Sequence, residues 1–204
     1  LETGIFSPKA MSFGIGYAKD LTDKFSIGGN IKYVTQDLGS SVIGFSNGVQ
    51  TTSENKANVL AFDFGLLYHT GYESLTFGMS IRNFSQETKF VEENFELPLT
   101  FKVSISMNAF DLFNVDKNMH SLFVVVDAVQ PRDYYQQVNV GLEYTFLKTI
   151  SLRGGFSTPN DEHSYSAGVG VKQTLAGISL AADYAYTPFT VFQDVHRVTF
   201  NFGF

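Results

Sequence analysis

The stretch HRVTFNFGF, residues 196–204, sets Val198, Phe200, Phe202 and Phe204 at every second position, with Arg197, Thr199, Asn201 and Gly203 between them. Successive side chains of a β-strand point to opposite faces, so the segment reads as a strand with one apolar and one polar face. The apolar face needs a covering layer, and the nature of that layer decides the fold. It is either a second sheet in a soluble sandwich or the hydrocarbon of a membrane.

The same alternation fills the chain. Met11, Phe13, Ile15 and Tyr17 alternate with Ser12, Gly14 and Gly16, and Phe25, Ile27, Ile31 and Tyr33 with Ser26, Gly28, Asn30 and Lys32. It continues through Leu60, Phe62, Phe64, Leu66 and Tyr68, then Leu75, Phe77, Met79 and Ile81, then Leu97, Leu99, Phe101, Val103, Ile105 and Met107. Leu122, Val124 and Val126 follow, then Val138, Val140, Leu142, Tyr144 and Phe146, and then Ile150, Leu152 and Phe156. Tyr165, Ala167, Val169 and Val171 precede Ile178, Leu180, Tyr184 and Tyr186, which lead into the closing stretch. The pattern predicts eleven strands and no helix. Every charge inside these strands falls opposite the apolar set: Lys32, Asp63, Arg82, Lys102, Asp127, Glu143, Arg153, Lys172, Asp183 and Arg197.

Composition and strand length select the membrane. Charged residues are only 17% of the 204 residues, against roughly 25% in soluble domains. The strands run to about ten residues, the length that crosses a bilayer at a tilt, where sandwich strands are nearer 5–6. Tyr17, Tyr33, Tyr68, Tyr144 and Tyr186 lie near strand ends, where an interfacial aromatic girdle sits. The polar face carries Gly14, Gly16, Gly28, Gly65, Gly78, Gly141, Gly168, Gly170 and Gly203, which a wall tolerates and a packed core cannot use. The expected fold is therefore an all-β transmembrane antiparallel β-barrel, forming one domain over residues 1–204 in the bacterial outer membrane, with lipid covering the apolar face. No run approaches the ~18 apolar residues of a spanning helix.

Outer-membrane barrels have short periplasmic turns and longer outer loops. Counting back from Phe204, the outer connections read as residues 37–58, 83–96 (NFSQETKFVEENFE), 130–135 (QPRDYY), 157–164 and 187–194 (TPFTVFQD). The inner turns read as residues 19–24, 69–74, 109–120 (AFDLFNVDKNMH), 147–149 and 174–177. AFDLFNVDKNMH is long for a periplasmic turn.

Catalysis finds no foothold in these residues. His69, His120, His163 and His196 lie in or next to different turns without metal-ligand spacing, and there is no cysteine nucleophile. Neither an enzyme nor a cofactor is expected, and a net charge of -6 argues against a nucleic-acid partner. Two groups of residues remain as candidate sites. The ten strand charges, six basic and four acidic, are expected to face the lumen as a hydrated, largely self-paired wall. In the outer connections Phe45, Phe189, Val191 and Phe192 are candidate partner-binding residues, accompanied by Val42, Ile43 and Val49, because exposed apolar groups mark interaction sites.

YAKDLTDKFSIGGNIKYVTQDLG, IRNFSQ, LPLTFKVSISM, NVGLEYTFLKTISLRGGF and DYAYTPFTVFQDVHRVTF resemble the PorV/PorQ family of outer-membrane proteins, a branch of the FadL-like barrels. The resemblance implies a fourteen-stranded barrel of which these strands are the C-terminal part, the N-terminal ones lying outside this sequence. It also implies a type IX secretion-associated role in protein transport. The partners would be outer-membrane lipid and a translocon, secreted cargo or attachment complex. FadL-like transport of hydrophobic small molecules is the alternative.

Overall fold

The computed structural model describes residues 8–46, 49–90, 93–159, 164–175, 177–190 and 193–203. Eleven strands form one antiparallel sheet in chain order. They are β1 (Lys9–Thr22), β2 (Phe25–Ser46), β3 (Val49–His69), β4 (Thr76–Ser85), β7 (Thr100–Asn108), β8 (His120–Pro131), β9 (Gln137–Phe146), β10 (Ile150–Thr158), β11 (Tyr165–Leu175), β12 (Ile178–Thr187) and β13 (Val195–Gly203). Between β4 and β7 lies a small hairpin of β5 (Thr88–Phe90) and β6 (Glu93–Phe95). A single 3-10 turn (Ala109–Leu112) is the one helical element among the described residues. Each long strand pairs with its neighbour in sequence, or across β5–β6, and β1 and β13 are the outer edges of an open sheet.

The register preserves the predicted two-faced pattern from strand to strand. Ile31 lies opposite Ile15 and Phe62, Ile105 opposite Phe77 and Val126, and Tyr184 opposite Val169 and Val198. Phe13, Ile15, Ile31, Phe64, Leu142, Leu152, Phe200 and Phe202 are all exposed on this face, as hydrocarbon-facing side chains are. Aromatic clusters mark its two ends. His120 Nδ1 lies 2.8 Å from the Tyr144 hydroxyl, with Phe146 alongside, and His196 Nδ1 lies 2.7 Å from the Tyr184 hydroxyl, with Tyr186 alongside. Two of the histidines therefore sit in aromatic contacts of the apolar face.

Two expectations are corrected. Residues 37–46 and 49–58 continue the ladder, with β2 and β3 paired as far as Ser46 and Val49 and register shifts at Asp37/Ser40 and Val42/Gly44. At about 3.3 Å per residue, β2 alone spans roughly 70 Å, far beyond the ~30 Å hydrocarbon core, so the ladder projects out of the membrane.

Leu97 and Leu99 precede the strand to which the alternation assigned them. Pro98, which has no N–H for the ladder, separates them, and β7 starts at Thr100. Leu97 is only 5% exposed and packs with Val34, Val59 and the fully buried Ala61. Val34, Val59 and Ala61 share the polar face with Lys32 and Asp63. Leu97 therefore folds back onto that face at the loop end of the sheet, where the main buried apolar cluster of the described residues lies.

Candidate functional site

The ten strand charges occupy one face, one from each of β2, β3, β4 and β7 through β13. Lys32 Nζ contacts Asp63 at 2.7 Å, while the Asn30 amide and the Asn83 backbone N–H also donate to that carboxylate, at 3.2 and 2.8 Å. Lys102 Nζ lies 2.5 Å from Asp127, which also accepts from the Ser104 hydroxyl at 2.5 Å. Arg153 bridges Glu143 and Asp183 from the strands on either side of β10 and β11. Gly170 makes this bridge possible, because a Cβ there would collide with the Asp183 carboxylate and crowd the Arg153 guanidinium. Each of the four acids thus has a cationic partner, and Arg153 serves two of them. Among the described residues Arg82, Lys172 and Arg197 have no acidic partner.

The outer connections divide. Phe45 lies in the extension of β2, but its side chain falls outside the described residues, as do those of Val42, Ile43 and Val49. Val191 and Phe192 also lie outside the described residues. Phe189 is half-buried, and its backbone N–H donates to Asp194 at 3.3 Å. The most exposed aromatic pair among the described residues on this side is one that sequence reasoning missed: Tyr134 at 74% and Tyr135 at 88%. Their connection is held at its base. Arg132 pairs with Glu96 and donates its backbone N–H to the Leu99 carbonyl at 2.9 Å, and Gln130 Nε2 donates to the Tyr134 carbonyl at 3.2 Å. The only signal in the sequence was the dipeptide itself, inside a short polar connection.

At the opposite end the long turn 109–119 is built rather than loose. Asn108 caps the 3-10 turn, its side chain accepting from the backbone N–H groups of Phe110 at 3.3 Å and Leu122 at 2.9 Å. Ser74, from the β3–β4 turn, donates to Asp111 and accepts from the Asn108 N–H at 2.8 Å. Lys117 reaches Asp111 at 3.1 Å and Glu73 at 3.6 Å, and the Met119 carbonyl accepts from the Leu147 N–H at 2.7 Å, so three turns are tied together.

The Ser74 hydroxyl and then the Lys117 ammonium hold the Asp111 carboxyl below its ordinary range, and Asp111 in turn raises Lys117. A depressed carboxyl adds stability above its unfolded pKa that is lost as pH falls through the folded value. The raised lysine adds stability below its unfolded pKa that is lost as pH rises through its folded one. Asp111→Asn should therefore flatten the acid limb of the unfolding profile between about pH 5 and pH 2. Denaturant midpoints that fall in parallel for both proteins over that range would exclude this role.

Strands of bilayer-crossing length, an apolar face with aromatic clusters at its two ends and a charged glycine-rich opposite face define an outer-membrane protein of the β-barrel class. The family model for the type IX secretion system membrane protein PorP/SprF matches residues 2–202, and the chain belongs to that family. A search of curated proteins finds no match. The link to type IX secretion that the sequence resemblance implied therefore stands. The family that carries it is PorP/SprF, where the resemblance pointed to PorV/PorQ.

Proposed function

We propose that this protein is a non-enzymatic docking component of the type IX secretion system, holding a secretion-system or cargo polypeptide at its outer connections. The observation that carries the reading is the Tyr134–Tyr135 pair, almost fully exposed on a connection pinned by Arg132 to Glu96 and Leu99. Tyrosine offers a large amphipathic contact with few torsions to freeze, and it is enriched among the residues that dominate binding energy. A pinned base means that little further ordering is needed when a partner binds. Phe189 and, by sequence, Phe45, Val191 and Phe192 extend the same surface in this reading. The ten wall charges line a hydrated lumen, and Leu97, packed on the same face, narrows its outer mouth, which favours docking over passage of hydrophobic solutes.

Replacing Tyr134 and Tyr135 together with Ser should reduce co-purification of type IX components from native membranes by at least about tenfold, since each buried anchor is worth about 2 kcal/mol. Assembly should be unchanged, because exposed loop substitutions cost little stability. Undiminished co-purification, with uptake of a hydrophobic solute that depends on the wall charges, would move the protein to the transporters.

A further inference from the structure

The charge ledger of the polar face is uneven. The chain carries a net charge of -6, yet the ten wall charges are six cations and four anions, and the pairing described above leaves Arg82, Lys172 and Arg197 uncompensated among the described residues. Arg82 is the most informative of the three because of its surroundings. It lies on β4 opposite Thr100 of β7, and Ser80, two residues before it on the same face, lies opposite Lys102. Arg82 and Lys102 both line a concavity of about 520 Å³ with Ser80, Thr100 and Ser106. Gly28, Gly65 and Gly78 form part of its floor, beside the side chains of Ala18 and Leu67.

We infer that this concavity binds an acidic, extended polypeptide segment, whose carboxylates are received by Arg82 and the free face of Lys102. This rests on the reading of the protein as a polypeptide-docking component, and deepens it. Three features choose the occupant. A guanidinium with no internal acid presents a fork of N–H donors that matches a carboxylate. The Ser80, Thr100 and Ser106 hydroxyls supply further donors along the strand direction, where an enclosed small-molecule site would gather them around a point. Gly28 and Gly65 let a backbone lie close to the sheet, which suits a chain laid across the strands better than a compact ligand that must be enveloped.

Asp127 fixes Lys102 from one side only, so its remaining donors are available to the guest. Arg82→Lys keeps the charge and loses the fork, whereas Arg82→Gln loses both. The contrast separates recognition from general electrostatics.

The test uses the full-length protein purified in detergent and two fluorescent peptides of equal length, one rich in Glu and Ser and one rich in Lys and Ser, titrated by anisotropy. The acidic peptide should bind and the basic one should not, and its affinity should fall steeply with added salt. Arg82→Gln should weaken the acidic peptide about tenfold, Arg82→Lys by a smaller factor, and Lys148→Gln, in the turn at the other end of the sheet, should have no effect. A heat-modifiability gel run on each variant confirms that the barrel is assembled. Equal binding of the two peptides, or an Arg82→Gln protein that is folded and binds like the parent, overturns the inference. Loss of peptide binding with co-purified partners retained would remove the lumen site alone and leave the outer-connection reading standing.

Discussion

Phe200→Arg should cost about 2–4 kcal/mol of stability in a bilayer, whereas Asn201→Arg, one residue further along the same strand, should cost under about 1 kcal/mol. Phe200 is exposed on the apolar face, opposite Ala182 of β12, and Asn201 points to the polar face, opposite Ala181. An arginine near the membrane midplane must drag its charge into hydrocarbon or distort the lipid around it. The same residue on the other face meets water and neighbouring polar groups. A one-residue step flips a strand side chain to the opposite face, so the pair isolates the choice of face while strand, depth and residue type stay constant. Urea midpoints in lipid vesicles would show it. Equal destabilisation by the two substitutions would mean that lipid does not cover the face of Phe200.

Leu97→Ala is the second large expected effect, about 2 kcal/mol, at the lower end of the range for buried leucines because the cluster around it is small. Leu97 is 5% exposed and closes over Val59 and Ala61. The loss should be local: the connection 86–99 should detach from the sheet while the eleven-stranded ladder remains. Protease added from the outside should then cut within 86–99 several-fold faster, with heat-modifiability unchanged. Cleavage at the parental rate would show that other contacts hold this connection. The effect also bears on function, since Arg132 grips Glu96 next to Leu97, and release of that segment would loosen the base under Tyr134 and Tyr135.

The strands were legible because lipid and water impose the simplest possible pattern on a β-chain. A residue such as Val169 needs only to be apolar to face hydrocarbon, and Lys172, three positions on, needs only to be polar to face the other way. No partner residue enters either requirement, so the period-two alternation carries it. The hairpin extension beyond Asp37 was less legible, because outside the membrane nothing forces alternation.

The candidate sites depended on information of a different kind. That Arg153 would take Glu143 and Asp183 together, leaving Arg82, Lys172 and Arg197 over, follows from strand register and side-chain reach. The Arg153–Asp183 contact alone joins residues 30 positions apart. That Leu97 would turn inward while Phe101 turned outward depended on where Pro98 let the ladder begin. That Tyr134 and Tyr135 would stand clear of the surface depended on Arg132 finding Glu96 in a different connection. The sequence by itself determined the class of fold, the order of the eleven long strands and the two faces, because these are local consequences of alternation in two solvents. Which charges cancel, which loop folds back and which aromatics stay exposed were decided only by the tertiary structure, because each depends on a contact between distant segments that no local period encodes.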